Sequence, residues 1–395
     1  MGACCTCQTG LRYREAPTDD HHAKPKNIKS EDSNQVIAID DYGARISLQG
    51  STKFISMFTR QGRKGVNQDA ITVWENFGGK RDMVYCGVFD GHGPFGHKVS
   101  CYVRDTLPSK LSWLFRDSDI HGKTCSHHGH GSKKKVINID DSKDPVLSSW
   151  KKSIVESFKE MDEDLEANKS IDSYGSGSTS VSVIKQGNNL IITNLGDSRA
   201  LLCTRNGNQL HTLQLTVDLK PNTKGEYERI KRCGGRVEPM ERESSVFRVW
   251  MPDQDCPGLA MSRAFGDFCI KDYGLICIPN IYYHKLTNKD EFVVLATDGV
   301  WDVLTNNEVV KIVGSVRNRS MAARFLIDNA VRAWRQKYPS SKTDDCSVAI
   351  LFFKKQRFSL AKSGPELIDL SDLDAMNNPK STGDDDGFDI AKLPH

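Results

Sequence analysis

Residues 83–93 have the sequence Met83-Val84-Tyr85-Cys86-Gly87-Val88-Phe89-Asp90-Gly91-His92-Gly93. The first part is a mostly apolar run with the length of a buried strand, and it ends in a glycine-rich turn. An aspartate therefore lies at the end of a predicted rigid strand, beside backbone that a ligand can approach closely. Apolar runs beside an aspartate recur at residues 292–298 and 344–353, so the arrangement is repeated.

The rest of the patterned region combines hairpins with separate helices. Residues 179–185 and 190–194 are predicted strands joined by the turn Gly187-Asn188-Asn189. Helices are predicted over residues 95–115, 150–165, 222–233, 306–314 and 321–338, and Pro108 should interrupt the first of them. This combination predicts an antiparallel α+β architecture and not alternating parallel βαβ units.

Composition changes mark the predicted boundaries. Residues 1–44 are polar and are predicted to be a flexible arm, and residues 45–355 are predicted to be one patterned domain. Inside it, residues 117–145 form a polar insertion with His, Lys and Asp clusters, which is predicted to be flexible. Residues 356–395 contain the run Asp384-Asp385-Asp386 and are predicted to be a disordered acidic tail.

Composition also excludes several classes of protein. The 395 residues are 38% hydrophobic and can bury a core, while a net charge of +3 without a basic stripe indicates no nucleic-acid partner. The twelve cysteines form no repeated CxxC frame and no apolar signal peptide opens the chain, so a reducing compartment is expected. No apolar run approaches the roughly 20 residues of a membrane-spanning helix. No heptad pattern indicates a dimer, so a monomer is expected.

Four aspartates stand beside the predicted strands: Asp69, Asp90, Asp298 and Asp344. Mg²⁺ and Mn²⁺ prefer oxygen ligands, keep several waters and need few carboxylates each. The glycine at Gly91 also lets a carbonyl oxygen reach an ion. Asp-Gly is a common turn dipeptide, so each motif alone is more often a turn. Four of them at strand ends predict a metal site.

The chemistry that such a site favours is phosphate-ester hydrolysis. Two ions about 4 Å apart lower the pKa of a shared water and hold a phosphoryl group for in-line attack. His92 follows Gly91 directly and is placed to donate a proton to a departing alkoxide.

Several short motifs occur in a fixed order over residues 50–355. They are Gly62-Arg63-Lys64-Gly65-Val66-Asn67-Gln68-Asp69-Ala70, Val88-Phe89-Asp90-Gly91-His92-Gly93, Gly175-Ser176-Gly177-Ser178-Thr179, Asn194-Leu195-Gly196-Asp197-Ser198-Arg199-Ala200, Leu259-Ala260-Met261-Ser262-Arg263-Ala264-Phe265-Gly266-Asp267, Asp298-Gly299-Val300-Trp301-Asp302 and Asp344-Asp345-Cys346-Ser347-Val348. Any one is weak, but the ordered set resembles the type 2C metal-dependent serine/threonine protein phosphatases, particularly the plant members.

The resemblance implies a sandwich of two antiparallel β-sheets flanked by helix pairs, in four αββα layers, with two Mg²⁺ or Mn²⁺ ions in a cleft at one edge. It implies that a metal-bridging hydroxide attacks phosphoserine and phosphothreonine in proteins, protein kinases among them, without a phosphoenzyme. The implied ligands are Asp90, which bridges the ions, the Gly91 carbonyl, Asp69, Asp298 and Asp344. His92 would protonate the leaving group.

The resemblance also implies a third ion at the same site. Asp197, Asp298 and Asp302 match positions that hold a third, weaker ion in some members of the family.

The resemblance is incomplete at the phosphate anchor. Animal members have Arg where this chain has Lys64, and Lys is a point charge that cannot make the planar bidentate contact. Arg63 is adjacent and is the candidate to substitute for it. Animal members also have Glu at the position of Gln68, and a neutral amide should slightly weaken metal or water binding.

Two other segments have alternative interpretations. The resemblance implies that residues 215–258 correspond to a mobile flap beside the cleft that tunes substrate choice, but residues 236–249 also fit a solvated surface hairpin. Cys125, His127, His128 and His130 suggest zinc, but their spacing matches no standard ligand frame, so a flexible insertion is favoured.

The amino terminus predicts a lipid anchor. Met1-Gly2-Ala3-Cys4-Cys5-Thr6 matches the N-myristoylation pattern at Gly2, although so short a motif also matches by chance. One myristoyl chain binds membranes only marginally, so palmitoylation of Cys4 and Cys5 is the expected second signal. The expected location is the inner leaflet at the cytosolic face of the plasma membrane, with a cytoplasmic pool.

Two other classes of protein share some of these sequence features with an active phosphatase. A lipid-anchored binding module that has lost catalysis is compatible with Lys64 and Gln68, but the intact aspartates and His92 argue against it. A structural Ca²⁺ protein is disfavoured because the twelve-residue ligand loop of an EF-hand is missing.

Overall fold

The computed structural model describes residues 54–114, 136–141, 144–241 and 243–353, and the backbone of four strands between residues 26 and 51. The predicted lipidation sites Gly2, Cys4 and Cys5, the cluster at residues 125–130 and the predicted tail lie outside the described residues. Within those ranges, no helix combines the length and the apolar character that crossing a membrane requires.

The chain forms strands, helices and short 3-10 turns. The strands are β1 Lys26–Lys29, β2 Gln35–Asp40, β3 Gly43–Leu48, β4 Gly50–Ser51, β5 Ile55–Arg60, β6 Asp69–Glu75, β7 Met83–His92, β8 Ile137–Asn138, β9 Gly177–Ser178, β10 Ser180–Gln186, β11 Asn189–Leu195, β12 Arg199–Asn206, β13 Gln209–Gln214, β14 Arg236–Met240, β15 Glu243–Trp250, β16 Pro257–Leu259, β17 Phe265–Gly266, β18 Asn280–Lys285, β19 Asp290–Ala296 and β20 Cys346–Phe352. The helices are α1 Gly96–Leu114, α2 Pro145–Ala167, α3 Lys224–Arg232, α4 Asp298–Trp301, α5 Asn306–Ser315 and α6 Ala322–Lys337. The 3-10 turns are Phe77–Gly79, Ile139–Asp141, Phe268–Tyr273 and Arg319–Met321.

Two antiparallel sheets pack face to face. The first has the order β1-β2-β3-β6-β7-β10-β11-β18-β8, and the second has the order β13-β12-β19-β20-β5-β4. In β7, Tyr85 and Phe89 belong to one buried cluster, while Cys86 and Val88 belong to another. Because successive side chains of a strand point to opposite faces, the apolar run predicted at residues 83–89 is explained by burial on both faces.

Helices cover both outer faces of this sandwich. Val103 of α1 and Phe158 of α2 pack on the first sheet, and Val309 of α5 and Trp334 of α6 pack on the second. Burying a large apolar side chain stabilises a fold by roughly 1.5–3 kcal/mol. The predicted α+β sandwich with helix pairs on its outer faces is confirmed.

The prediction that Pro108 interrupts the first helix is wrong. Helix α1 continues from Gly96 to Leu114, and Leu107, Pro108 and Leu111 are all buried. A proline inside a helix removes one backbone hydrogen bond. Here the apolar packing of the same helical face against the sheet outweighs that local cost.

Regular structure also extends into two ranges that were predicted to be flexible. Strands β1 and β2 lie within residues 1–44 and extend the first sheet beyond β3. Strand β8 lies within the predicted insertion 117–145 and pairs with β18. Sheet edges supply hydrogen-bond partners to polar segments, and apolar patterning does not reveal such pairing.

The predicted flap contains a small sheet, β14-β15-β16, with α3 beside it. Its own buried cluster includes Ile230 and Val249, so the hairpin is backed by a core. Glu226 of α3 accepts hydrogen bonds from Arg263 Nη2 at 2.5 Å and Ser262 Oγ at 2.6 Å. Burial raises the pKa of Glu226, but these and other donors outweigh it and lower the pKa to about 2. This ion pair attaches α3 to the segment before β17.

Candidate metal and phosphate site

Asp69 and Asp90 face each other across two neighbouring strands. Strand β6 begins at Asp69, and its antiparallel register with β7 places Asp69 opposite Asp90. Directly opposed like charges destabilise a sheet. Two carboxylates therefore lie close together at this end of the first sheet, where a bound cation would stabilise them.

The second sheet supplies the other two predicted aspartates. Asp298 begins α4 after β19, and Asp344 precedes β20, which pairs with β19. Among the causes that raise the pKa of Asp90, Asp298 comes second after burial, so these two carboxylates lie close together. Thr297 Oγ1 donates to Asp69 Oδ2 at 2.9 Å, which joins the two sheets at the site. The structure thus brings all four aspartates to one end of the sandwich.

The loop between β5 and β6 is held at this end by Asp345. Its Oδ1 accepts a hydrogen bond from Gly62 N at 2.7 Å, and its Oδ2 accepts one from Gln68 N at 2.8 Å. This loop carries Lys64, whose Nζ donates to Asp344 Oδ2. Asp345 therefore positions the predicted phosphate anchor beside the aspartates.

The turn after Asp90 leaves no space for a side chain. A Cβ atom on Gly91 would lie 2.3 Å from the Gly96 carbonyl oxygen. The Gly91 N–H donates to the Gln68 carbonyl at 3.1 Å, and Gln68 Nε2 donates to the Gly93 carbonyl at 2.7 Å. An ionised glutamate has no N–H to donate. The amide of Gln68 is therefore used to hold the Asp90 turn.

Of the four aspartates, Asp69 is buried and Asp90, Asp298 and Asp344 are half-buried. Burial and neighbouring carboxylates raise the pKa values of Asp69 and Asp90 well above the usual range. Burial, with Asp298 second, raises the pKa of Asp344 to about 7. Burial also acts to raise the pKa of Asp298, but two nearby lysine ammonium groups outweigh it and lower this pKa. Such a cluster is stabilised by added positive charge.

The donor chemistry of the site fits divalent cations. In the ranges described, no group of three or more His, Cys, Asp or Glu side chains is arranged to hold one ion. Mg²⁺ keeps several waters and binds through one or two carboxylates, so a complete protein cage is not required. The buried oxygens Asp197 Oδ1 and Asp267 Oδ1 have no hydrogen-bond partner within the described structure. Unsatisfied buried oxygens of this kind suit a water or an ion.

Lys64 and Arg63 have different positions relative to this cluster. Burial lowers the pKa of Lys64, but Asp344 and Asp298 outweigh it and raise this pKa, so the side chain stays a cation. The Arg63 side chain is exposed, and its backbone N–H donates to the Thr343 carbonyl at 2.8 Å. The structure places Lys64, and not Arg63, at the aspartates.

His92 is paired with a residue far away in the sequence. Strands β7, β9 and β17 form a short antiparallel extension in which His92 lies opposite Gly177 and Gly177 lies opposite Gly266. Asp267 follows, fully buried and in the left-handed region at φ 54°. Its Oδ2 lies 2.5 Å from His92 Nε2. Burial lowers the pKa of His92, but Asp267 outweighs it and raises this pKa.

The predicted third-ion residues Asp197, Asp298 and Asp302 lie around a lysine. Lys220 Nζ donates to Asp197 Oδ2, and the Asp302 N–H donates to the Asp298 carbonyl at 2.9 Å. A cavity of about 330 Å³ begins here; its lining includes Lys220, Asp298, Asp302, Ser245, Val246 and Phe247. The flap hairpin therefore borders the acidic site.

Three residues of this site are absent from the sequence prediction. Asp267 and Asp345 lie inside two of the quoted motifs, but the sequence alone assigns neither of them a role. Lys220 lies outside every quoted motif, and its local sequence distinguishes it from no other surface lysine. Only the folded arrangement reveals its contact with Asp197.

Comparison with known proteins shows which family this sequence matches. The family model described as "Protein phosphatase 2C" matches residues 55–337. The chain is 48% identical over 358 residues to "Probable protein phosphatase 2C 65" of Arabidopsis thaliana, which covers 91% of this chain and 90% of that protein. It is 50% identical over 309 residues to "Probable protein phosphatase 2C 73" of Oryza sativa subsp. japonica, which covers 76% of this chain and 72% of that protein.

A solved structure has the same fold. The crystal structure of a serine-threonine phosphatase 2C from Toxoplasma gondii matches with a TM-score of 0.64 and 25% sequence identity. The match covers 78% of this chain and 98% of that one. Both sheets and the aspartate end described above lie largely within the range that the family model matches.

Proposed function

This chain belongs to the protein phosphatase 2C family, and we propose that it hydrolyses phosphoserine and phosphothreonine in proteins at a centre of two Mg²⁺ or Mn²⁺ ions. Its serine/threonine protein phosphatase activity follows from the family, whose members are generally metal-dependent. The observation that supports the two-ion centre is the convergence of Asp69, Asp90, Asp298 and Asp344 from two sheets on one buried end of the sandwich.

Each residue of the site has a separate role in hydrolysis. When bound, the ions lower the pKa of a water and polarise the phosphoryl group. Asp90 would hold the ions together with Asp69 and Asp298, because it lies opposite Asp69 and interacts closely with Asp298. Lys64 attracts the phosphate as a point charge. His92 donates a proton to the departing serine or threonine alkoxide.

Phosphate release from a phosphothreonine peptide tests this function. We expect the full chain to release phosphate with added Mn²⁺ or Mg²⁺ and to lose that activity in EDTA, with recovery when the metal is restored in excess. The matched control is the same peptide carrying phosphotyrosine, which should be a poor substrate. Unchanged activity in EDTA would contradict the proposed centre.

The same assay separates an enzyme from a binding module without catalysis. A binding module would bind the phosphopeptide but release no phosphate at any metal concentration. The structure favours the enzyme, since the acidic cluster and the His92–Asp267 pair are both assembled. Protein kinases are candidate substrates in this proposal, and a monomer is the expected state.

The amino-terminal motif supports a further part of the proposal, which is acylation at Gly2, Cys4 and Cys5 and attachment to the cytosolic face of the plasma membrane. Membrane fractionation of the full chain tests it. Gly2→Ala should move the protein to the cytoplasmic pool, whereas Thr9→Ala, outside the motif, should leave it membrane-bound. Retention of Gly2→Ala on membranes would contradict this location.

A further inference from the structure

Lys220 occupies a buried acidic corner of the site. It lies in the connection between β13 and α3, and its Nζ donates to Asp197 Oδ2. The Asp197 side chain is 1% exposed and its second oxygen has no hydrogen-bond partner among the residues described. A carboxylate buried in this way is costly without a positive partner. Lys220 supplies that partner.

The same ammonium group interacts with the other acidic side chains of the corner. Asp197, Asp298 and Asp302 all act to raise the pKa of Lys220, against the effect of burial, which is the largest single influence. Lys64, the other lysine that acts on Asp298, contacts Asp344. Each of the two lysines thus neutralises a different part of the acidic cluster.

Lys220 also has space to move away. Its side chain is 35% exposed, whereas its partner Asp197 is almost completely buried. It lines the cavity of about 330 Å³ between the acidic residues and the flap hairpin. A long flexible side chain next to a cavity can leave an ion pair without movement of the backbone.

We propose that Lys220 is an internal counter-ion that competes with a third divalent cation for Asp197, Asp298 and Asp302. A divalent ion at the free Oδ1 of Asp197 would lie close to the ammonium group on Oδ2 and repel it, so binding of the third ion favours departure of Lys220. This proposal rests on the metal centre described under the proposed function. A third ion would be held weakly at this corner because it has to overcome repulsion by a positive charge that is already hydrogen-bonded to Asp197.

Titration of the full chain with Mn²⁺, followed by calorimetry, tests the competition. Lys220→Gln should bind the third ion about tenfold or more tightly than the wild type, because the competing cation is removed. The two tighter sites should change much less. Lys224→Gln removes an exposed lysine four residues away and should leave all three affinities unchanged. An unchanged third affinity in Lys220→Gln would overturn the proposal.

A second measurement uses the wild-type chain and does not depend on how a variant folds. An amine-acylating reagent followed by mass spectrometry reports how accessible Lys220 is. Acylation of Lys220 should be slow in EDTA and faster at Mn²⁺ concentrations that fill the third site, while Lys224 should react equally in both. Equal protection of Lys220 in both conditions would overturn the proposal. A wild-type chain that binds no Mn²⁺ at all would instead contradict the proposed metal centre.

Discussion

Replacing Asp90 by Asn is expected to lower phosphate release by more than about a hundredfold while raising the stability of the metal-free protein. The loss of activity follows from position: Asp90 lies opposite Asp69 and interacts closely with Asp298, so it is the carboxylate expected to serve both ions. Changing residues that only orient metal ligands already costs about 10–100-fold. A bridging ligand should cost more, and metal titration should show weaker binding at both sites.

The gain in stability follows from the pKa of Asp90. Burial, together with Asp298 and Asp69, raises this pKa in the folded state. A carboxyl group with a raised folded-state pKa destabilises the fold at every pH above its unfolded value, which is about 4. An amide carries no charge to bury. In EDTA at pH 8, Asp90→Asn should therefore melt at a higher temperature than the wild type, and the difference should shrink as the pH approaches about 4.

The control for both measurements is Asp272→Asn, which changes an exposed aspartate in a 3-10 turn. It should alter neither turnover nor the melting temperature appreciably. Wild-type activity in Asp90→Asn would remove Asp90 from the centre. A lower melting temperature of that variant in EDTA would show that the Asp90 carboxylate stabilises the metal-free fold.

The sequence predicts Asp90 and misses Asp267 for a physical reason. Around Asp90, the apolar run that predicts the strand leads directly into the Asp-Gly pair that predicts the site. One short stretch of sequence therefore indicates both the strand and the functional residue. Asp267 reaches the site only because β17 pairs with β9 and β9 pairs with β7, and because a residue other than glycine adopts a positive φ there. Neither hydrophobic periodicity nor spacing encodes such long-range pairing. The contact of Lys220 with Asp197 is hidden in the same way.

The His92–Asp267 pair carries the other large expected effect. The Asp267 carboxylate holds Nε2 of His92, and Nδ1 has no partner in the described part of the chain. Nδ1 is therefore the nitrogen left to protonate a leaving group, and Asp267 acts through His92 as a positioning residue. General acid catalysis is worth about 10²–10⁴-fold. Asp267→Asn should lower turnover of a phosphothreonine peptide by about 10–100-fold, the range found for residues that orient a functional group.

The leaving group distinguishes this role from a merely structural one. A nitrophenolate ion leaves without protonation, whereas a threonine alkoxide needs a proton. Asp267→Asn should therefore reduce kcat for p-nitrophenyl phosphate far less than kcat for the peptide, with KM for both substrates little changed. A structural defect would lower both rates together, and that result would contradict the positioning role.

Gly177→Ala provides an independent way to disturb the same pair without changing either functional group. A Cβ atom at this position would lie 2.1 Å from Asp267 Oδ2, 2.5 Å from the Phe265 carbonyl oxygen and 2.6 Å from His92 Nε2, so the pair would have to shift together with strand β17. It should reproduce the selective loss on the peptide. A Cβ on Gly207 meets nothing within 4 Å. Because Gly207 has a positive φ of 59°, Gly207→Asn, a residue that tolerates this conformation, is the matched control and should retain both activities. If Gly177→Ala also retained both, the close packing around His92 would have no part in catalysis.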